Sequence, residues 1–237
     1  MTAAKGKEYI CINCTSVTRA IYKKSDGNFI KLLDCDICGQ PVDRYVECEK
    51  SIIFMDLVLQ DMAAYRHILF NADDFTPQFY TKLALSLMLS EAYVRWVDFA
   101  ENLSVGNGIR NNEVYLYIMC LVAASEIGMF GIIIWLYSTL KYWNKGSIQI
   151  YNACLLGQCG RLANIAAIIW YQSSSLIFQV LMLAFVLVSS IQSIRAALNI
   201  GRVESCLIIT TAFVIGYSAA RILEPLLINT YQYYYGV

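Results

Sequence analysis

The sequence predicts a small N-terminal zinc ribbon of short β-strands followed by an all-α integral membrane domain. Three observations carry that prediction. Cys11-Ile-Asn-Cys14 and Cys35-Asp-Ile-Cys38 form two C-x-x-C pairs separated by twenty residues, at the upper end of the spacing range for structural zinc. Residues 1–50 carry eight Lys or Arg and seven Asp or Glu, whereas only nine charged side chains occur from Val114 to Val237. A soluble domain averages roughly a quarter charged residues, so the C-terminal half cannot present an ordinary aqueous surface. Long apolar stretches fill that half instead. The formal net charge is zero, which gives no electrostatic reason to expect a nucleic-acid partner.

The ribbon is assigned to residues 1–49. Each C-x-x-C pair can set two thiolates on one ion, and Gly39 suits the tight turn of a metal knuckle. Between the pairs, Thr15–Leu33 holds a turn at Ser25-Asp26-Gly27-Asn28, flanked by alternation suited to short strands. So small a unit cannot bury enough apolar surface to fold unaided, and a structural Zn ion would supply the missing folding free energy. Iron in a rubredoxin-like role is the alternative metal. A RING domain would need a second set of ligands, which is missing. Four cysteines close the coordination sphere, which marks a structural centre rather than a catalytic one. Thiolate ligands favour a reducing compartment. Met1–Glu8 contain no apolar signal-peptide core, so a cytosolic ribbon is expected. Cys48, Cys120, Cys154, Cys159 and Cys206 read as buried thiols.

Residues 50–82 are assigned to an interfacial amphipathic helix and a loop. In the stretch 50–71, Asp56, Gln60, His67 and Asn71 fall within about 60° on a helical wheel while Ile, Leu, Met and Phe fill the other faces. That pattern fits a helix lying in the membrane interface better than one crossing it. His67, the only histidine, reads as part of the polar stripe. Asp73-Asp74-Phe75-Thr76-Pro77 then ends the helix.

The order of residues here is specific. Cys35-Asp-Ile-Cys38-Gly39, Val42-Asp43-Arg44-Tyr45-Val46-Glu47, Ile52-Ile53-Phe54-Met55-Asp56 and Tyr65-Arg66-His67-Ile68-Leu69-Phe70-Asn71 together closely resemble the Arv family. The likeness covers residues 9–71, and Tyr65, Arg66, His67, Phe70 and Asn71 are the positions that match the family's motif. The resemblance implies a multi-pass protein of the endoplasmic-reticulum membrane, with a role in sterol movement and lipid homeostasis. It further implies effects on sphingolipid metabolism and glycosylphosphatidylinositol (GPI) anchor synthesis. Its implied partners are membrane lipids, sterols among them, and an enzyme of lipid biosynthesis in that membrane. It brings no enzymatic reaction.

Residues 83–237 are assigned to a helical transmembrane domain. Five stretches approach the roughly 20 residues a crossing needs: Leu83–Val105, Val114–Leu140, Ile148–Tyr171, Leu176–Ile194 and Ser205–Leu223. The second, fourth and fifth are the most apolar. Glu91, Arg95 and Asp98 share one face of the first, either as a seam facing the bundle or as the headgroup side of an interfacial helix. Gln158 and Arg161 stand at the centre of the third. With five crossings and a cytosolic ribbon, the loops holding Lys141 with Lys145 and Arg195 with Arg202 face the cytosol, which satisfies the positive-inside rule. Three crossings with in-plane helices is the competing arrangement.

Ionisable groups inside spans cost several kcal/mol unless paired or wetted. Glu126 and Arg161 lie near the middle of neighbouring stretches and are candidates for an intramembrane ion pair or for a polar groove toward lipid. Leu89–Tyr93–Arg95 and Val214–Tyr217–Arg221 fit a proposed cholesterol-contact consensus, a weak pattern. The tail Tyr231-Gln-Tyr-Tyr-Tyr235 suits an aromatic belt. The sequence has no Gly-rich phosphate loop, no metal-binding histidine pair and no H-x-x-x-x-D pattern, so no enzyme is expected.

Overall fold

The computed structural model describes residues 8–24, 30–103, 112–142, 147–170 and 175–235. The expected Ser25–Asn28 turn, Lys145 and the expected stretch ends at Val105 and Tyr171 lie outside them. Two antiparallel pairs form the ribbon: β1 (Tyr9–Ile10) with β2 (Val17–Thr18), and β3 (Tyr22–Lys24) with β4 (Ile30–Leu32). Among the described residues, one buried cluster of this cap is Cys11, Ile21, Cys35 and Val42, ringed by Tyr9, Cys14, Cys38 and Val46. Half of those side chains end in sulfur, so the cap's interior is a cysteine cluster able to hold a metal.

After a 3-10 turn at Arg44–Glu47, the stretch expected as one amphipathic helix is divided. α1 (Lys50–Val58) stops at Leu59, Gln60 takes the left-handed conformation at φ 67°, and α2 (Met62–Arg66) starts afresh. The Asp61 side chain accepts from the Ala63 amide at 3.0 Å and caps the new helix, competing with continuation of the old one. A π-helical turn, His67–Asn71, follows. The expected polar stripe is therefore split: His67 and Asn71 turn inward and are buried. α1 keeps an outward apolar surface of Ile52, Phe54, Met55 and Val58, suited to the membrane interface.

The body contains α3 (Pro77–Leu103), α4 (Asn112–Lys141), α5 (Ser147–Gly157), a 3-10 turn at Cys159–Leu162, α6 (Ala163–Ile169), α7 (Leu176–Leu198) and α8 (Arg202–Tyr235). Among the described residues, three segments are long and apolar enough to cross a membrane: Glu113–Lys141, Leu176–Leu198 and Arg202–Tyr233. The shortest, 23 residues, spans about 35 Å at 1.5 Å per residue, against a hydrocarbon core of about 30 Å. The expected single helix Ile148–Tyr171 is broken in two. Its glycines let α7 approach closely: a Cβ on Gly157 would lie 2.6 Å from the Ser190 Cα, and one on Gly160 would lie 2.6 Å from the Phe185 ring. The last helix runs well past the expected end at Leu223, with Pro225 inside it.

α4 and α8 are antiparallel along their lengths. Lys141 pairs with Glu204 at one end, and Tyr115 meets Tyr231 edge-on at the other. α5 and α7 are antiparallel too, with the Ser193 hydroxyl donating to the Ala153 carbonyl at 2.7 Å. α2 lies on α7 and joins the cap to the body.

Candidate functional site

The two knuckles bring the sulfurs of Cys11, Cys14, Cys35 and Cys38 within 4.8 Å of one another. Cys11 and Cys38 are 3.7 Å apart, and Cys14 and Cys35 are 3.6 Å apart. Tetrahedral bonds of about 2.3 Å from metal to sulfur put neighbouring sulfurs about 3.8 Å apart, close to both paired distances, so the donor set fits a four-coordinate metal. The knuckles repeat each other in backbone detail. The Thr15 and Gly39 amides donate to the Cys11 and Cys35 carbonyls, and the Cys11 and Cys35 amides donate to the Ser16 and Gln40 carbonyls. Thr15 and Gly39 both have φ 66°. Glycine adopts that conformation freely; a β-branched threonine does not. A hydrogen bond from the Ser16 hydroxyl, with the amides of Cys38 and Ile37, holds the Cys35 thiol down at about 6. It is thus disposed to act as a thiolate ligand.

The motif run Tyr65–Asn71 latches this centre to the body. Asp43 is fully buried and accepts three hydrogen bonds: from the Tyr45 amide at 2.9 Å, from His67 Nδ1 at 2.7 Å and from Asn71 Nδ2 at 2.6 Å. A carboxylate only accepts, so His67 carries its proton on Nδ1. Asn71 also clasps Ile10 of β1, receiving its amide and donating to its carbonyl. The Arg66 guanidinium donates to the carbonyls of Ile12 and Asn13, inside the first knuckle, at 2.8 and 2.9 Å. Burial, with Arg195 nearby, pulls the Arg66 pKa down. On the other side of α2, Tyr65 reaches the Ser189 hydroxyl of α7 at 2.8 Å, and burial pushes its own hydroxyl pKa up. Phe70 packs at the edge of the same hydrophobic core. Asn199, in the left-handed cap of α7, adds a bond to Thr15 at 3.3 Å.

A second polar cluster lies within the helical body. Arg161 contacts Glu126 at 2.8 Å and Glu91 at 3.1 Å. Arg95 contacts Glu91 at 3.1 Å, pairs closely with Glu126, and approaches Glu224 of α8 at 3.9 Å. These side chains are largely buried, so Glu91 and Arg95 form a seam facing the bundle and not a headgroup face. The Asp98 side chain lies outside the described residues. Gly216 helps assemble the cluster, because a Cβ there would stand 3.0 Å from the Glu126 carbonyl. Three carboxylates here share two guanidinium groups, and each of the five has at least one partner of opposite charge within 4 Å. The arrangement also draws Arg95 away from the Leu89–Tyr93–Arg95 pattern, whose Leu89 and Tyr93 face outward. The central part of Asp43 and the joining of Glu224 to the charged cluster had no local signal, because their partners are remote in the chain.

These features define a class: a helical body with membrane-length segments, carrying a four-cysteine cap latched by a buried Asp–His–Asn cluster. The Arv1-like family matches residues 10–194, most of the chain, and the chain belongs to that family. The human protein named Protein ARV1 is 32% identical over 225 residues, covering 90% of this chain and 82% of the human protein. A bovine Protein ARV1 is 31% identical over 84% of this chain and 73% of its own length. The Saccharomyces cerevisiae Protein ARV1 is 41% identical over 63 residues, which is 27% of this chain and 20% of the yeast protein. None of these names denotes an enzyme. No solved structure matches the chain.

Proposed function

We propose that this chain is a non-enzymatic protein of lipid homeostasis in the endoplasmic-reticulum membrane, whose helical body holds and distributes sterol-like lipids. Effects on sphingolipid metabolism would then follow from altered sterol distribution. The cap holds zinc as a structural ion and lies on the cytosolic face. The observation that carries this reading is the latch: residues of the family motif couple the metal knuckles directly to α7, so cap and lipid-embedded body act as one unit.

The orientation has physical support. Thr15 meets Asn199, which sets the cap at the end of α7 near Arg195 and Arg202, and the Lys141–Glu204 pair brings the end of α4 to that side as well. Basic residues thus gather beside the cap, as the positive-inside rule asks of a cytosolic face. Five crossings follow if α3 and the broken α5–α6 stretch both span, and Glu91 and Arg95 of α3 are already paired, which lowers the cost of burying them in lipid.

Sterol exchange between liposomes tests the reading. Vesicles containing the purified protein should exchange sterol faster than protein-free vesicles, and equal rates would end the transport reading. An adaptor reading is favoured by Val17 and Ile37, apolar residues of the cap that are 62% and 77% exposed. In that reading the cap docks a lipid-processing complex such as that of GPI-anchor synthesis. Replacing both residues with serine should then release the complex while leaving sterol exchange intact.

A further inference from the structure

A lateral cavity of about 550 Å³ opens between α3, α4 and α5. That volume falls within the roughly 300–1,000 Å³ of small-molecule sites. None of the described residues lining it is charged. Ala84 of α3 and Ala124, Gly128 and Gly131 of α4 give it a low, flat wall, while Trp135 and Tyr151 stand half-exposed at the rim. A Cβ on Gly128 or Gly131 would meet no described atom within 4 Å, so both glycines border open space.

One polar side chain in the lining stands out. Gln158 is 1% exposed, and neither its Oε1 nor its Nε2 has a hydrogen-bond partner among the described residues. Its place in the lining follows from the break between α5 and the 3-10 turn, where Gly157 packs against Ser190, and its amide atoms lie just beneath the cavity surface. A buried amide with neither atom paired costs several kcal/mol, and such groups in folded proteins nearly always have a partner.

We infer that this cavity is a binding site for a neutral lipid with a rigid, flat apolar body and a single hydroxyl, the chemistry of a sterol, with Gln158, its amide turned into the cavity, as the polar anchor. The inference rests on the proposed lipid-handling function and gives it a location. A hydroxyl can donate to the amide oxygen or accept from the amide nitrogen, while the small-residue wall admits a planar ring system that branched side chains would exclude. A phosphate or carboxylate headgroup fits poorly: the nearest guanidinium groups, Arg95 and Arg161, are engaged with glutamates.

Photolabelling of the full chain in phosphatidylcholine nanodiscs tests the site, using a diazirine-bearing cholesterol analogue as the probe. The label should map to α3, α4 and α5 and be displaced by unlabelled cholesterol. Gly131→Leu sets its Cβ in open space within the cavity and should abolish that labelling. Gln158→Leu, which keeps the bulk and removes one hydrogen bond, should weaken it about tenfold while the melting temperature holds or rises. Displaceable label elsewhere in the chain, unaffected by Gly131→Leu, would overturn this site and leave the lipid-handling function standing. Absence of displaceable label from the whole chain would remove both. Labelling of the cavity by a diazirine phosphatidylcholine that competes with cholesterol would overturn the neutral-lipid assignment. Unchanged labelling with a lowered melting temperature in Gln158→Leu would make the amide a structural group and overturn its anchoring role.

Discussion

Asp43 holds the junction between cap and body with a carboxylate that touches no solvent and accepts from Tyr45, His67 and Asn71. Asp43→Asn replaces one acceptor oxygen with a donor and sets it against donors already in place. Leaving such groups unsatisfied costs about 1–3 kcal/mol each, so a loss near 3 kcal/mol is expected from thermal unfolding of the purified protein. A loss under about 0.5 kcal/mol, the size of an ordinary surface change, would remove Asp43 from the latch. The knuckles offer a finer test, since the same backbone turn is made once with threonine and once with glycine. Gly39→Thr should destabilise the second knuckle by about 1–2 kcal/mol, because a side chain at positive φ crowds its own carbonyl. Thr15→Gly should relieve the equivalent strain in the first. Chelator competition should read the Gly39 change as a metal affinity roughly tenfold weaker or more, with Thr15→Gly moving the other way.

Among the helices, the shared charges of α3, α4 and the turn after α5 set the packing of the body. Arg161→Gln alone should cost about 3–5 kcal/mol, since it leaves three carboxylates to one guanidinium. Glu126→Gln should cost less, because Arg161 keeps Glu91 and Arg95 keeps Glu91 and Glu224. The double change should cost less than the sum, with a coupling of about 0.5–3 kcal/mol in a double-mutant cycle. Simple additivity would mean that the pair carries no interaction. The swap Glu126→Arg with Arg161→Glu should restore little, because Arg95 would then face a second guanidinium. Gly157→Ala should force α5 from α7 and lower the melting temperature, the neighbouring atom being backbone that cannot rotate away. Helix breaks were the least legible features at this scale. The stretch 148–171 is long and apolar enough overall to read as one helix, and Gly157, Gln158, Gly160 and Arg161 at its centre were the signals that two short helices replace it. Nothing local marked Gln60 for a left-handed turn. The polar positions of 50–71 keep helical spacing, yet His67 and Asn71 serve a buried carboxylate on the cap and not water, a difference periodicity cannot express.

Across the whole molecule, the sequence was clear where chemistry is local. Two cysteine pairs at fixed spacing need only their own turns to form a donor set, and charge depletion marks lipid-length helices without knowledge of their neighbours. The latch and the charged cluster depend on contacts between residues far apart in the chain, such as Tyr65 with Ser189, and these arise only on folding. Five crossings predict that in sealed microsomes a tag at the N-terminus is digested by added protease while one at the C-terminus is protected. Digestion of both would require an even number of crossings. The central claim is that a metal-held cap and a membrane body are joined through residues 65–71. Hydrogen exchange of the protein in nanodiscs, before and after metal chelation, tests it most directly. Chelation should strip protection from the knuckles and from Tyr65–Asn71 together, while α4, α7 and the first turns of α8 stay protected. Loss confined to the knuckles, or no change anywhere, would contradict it.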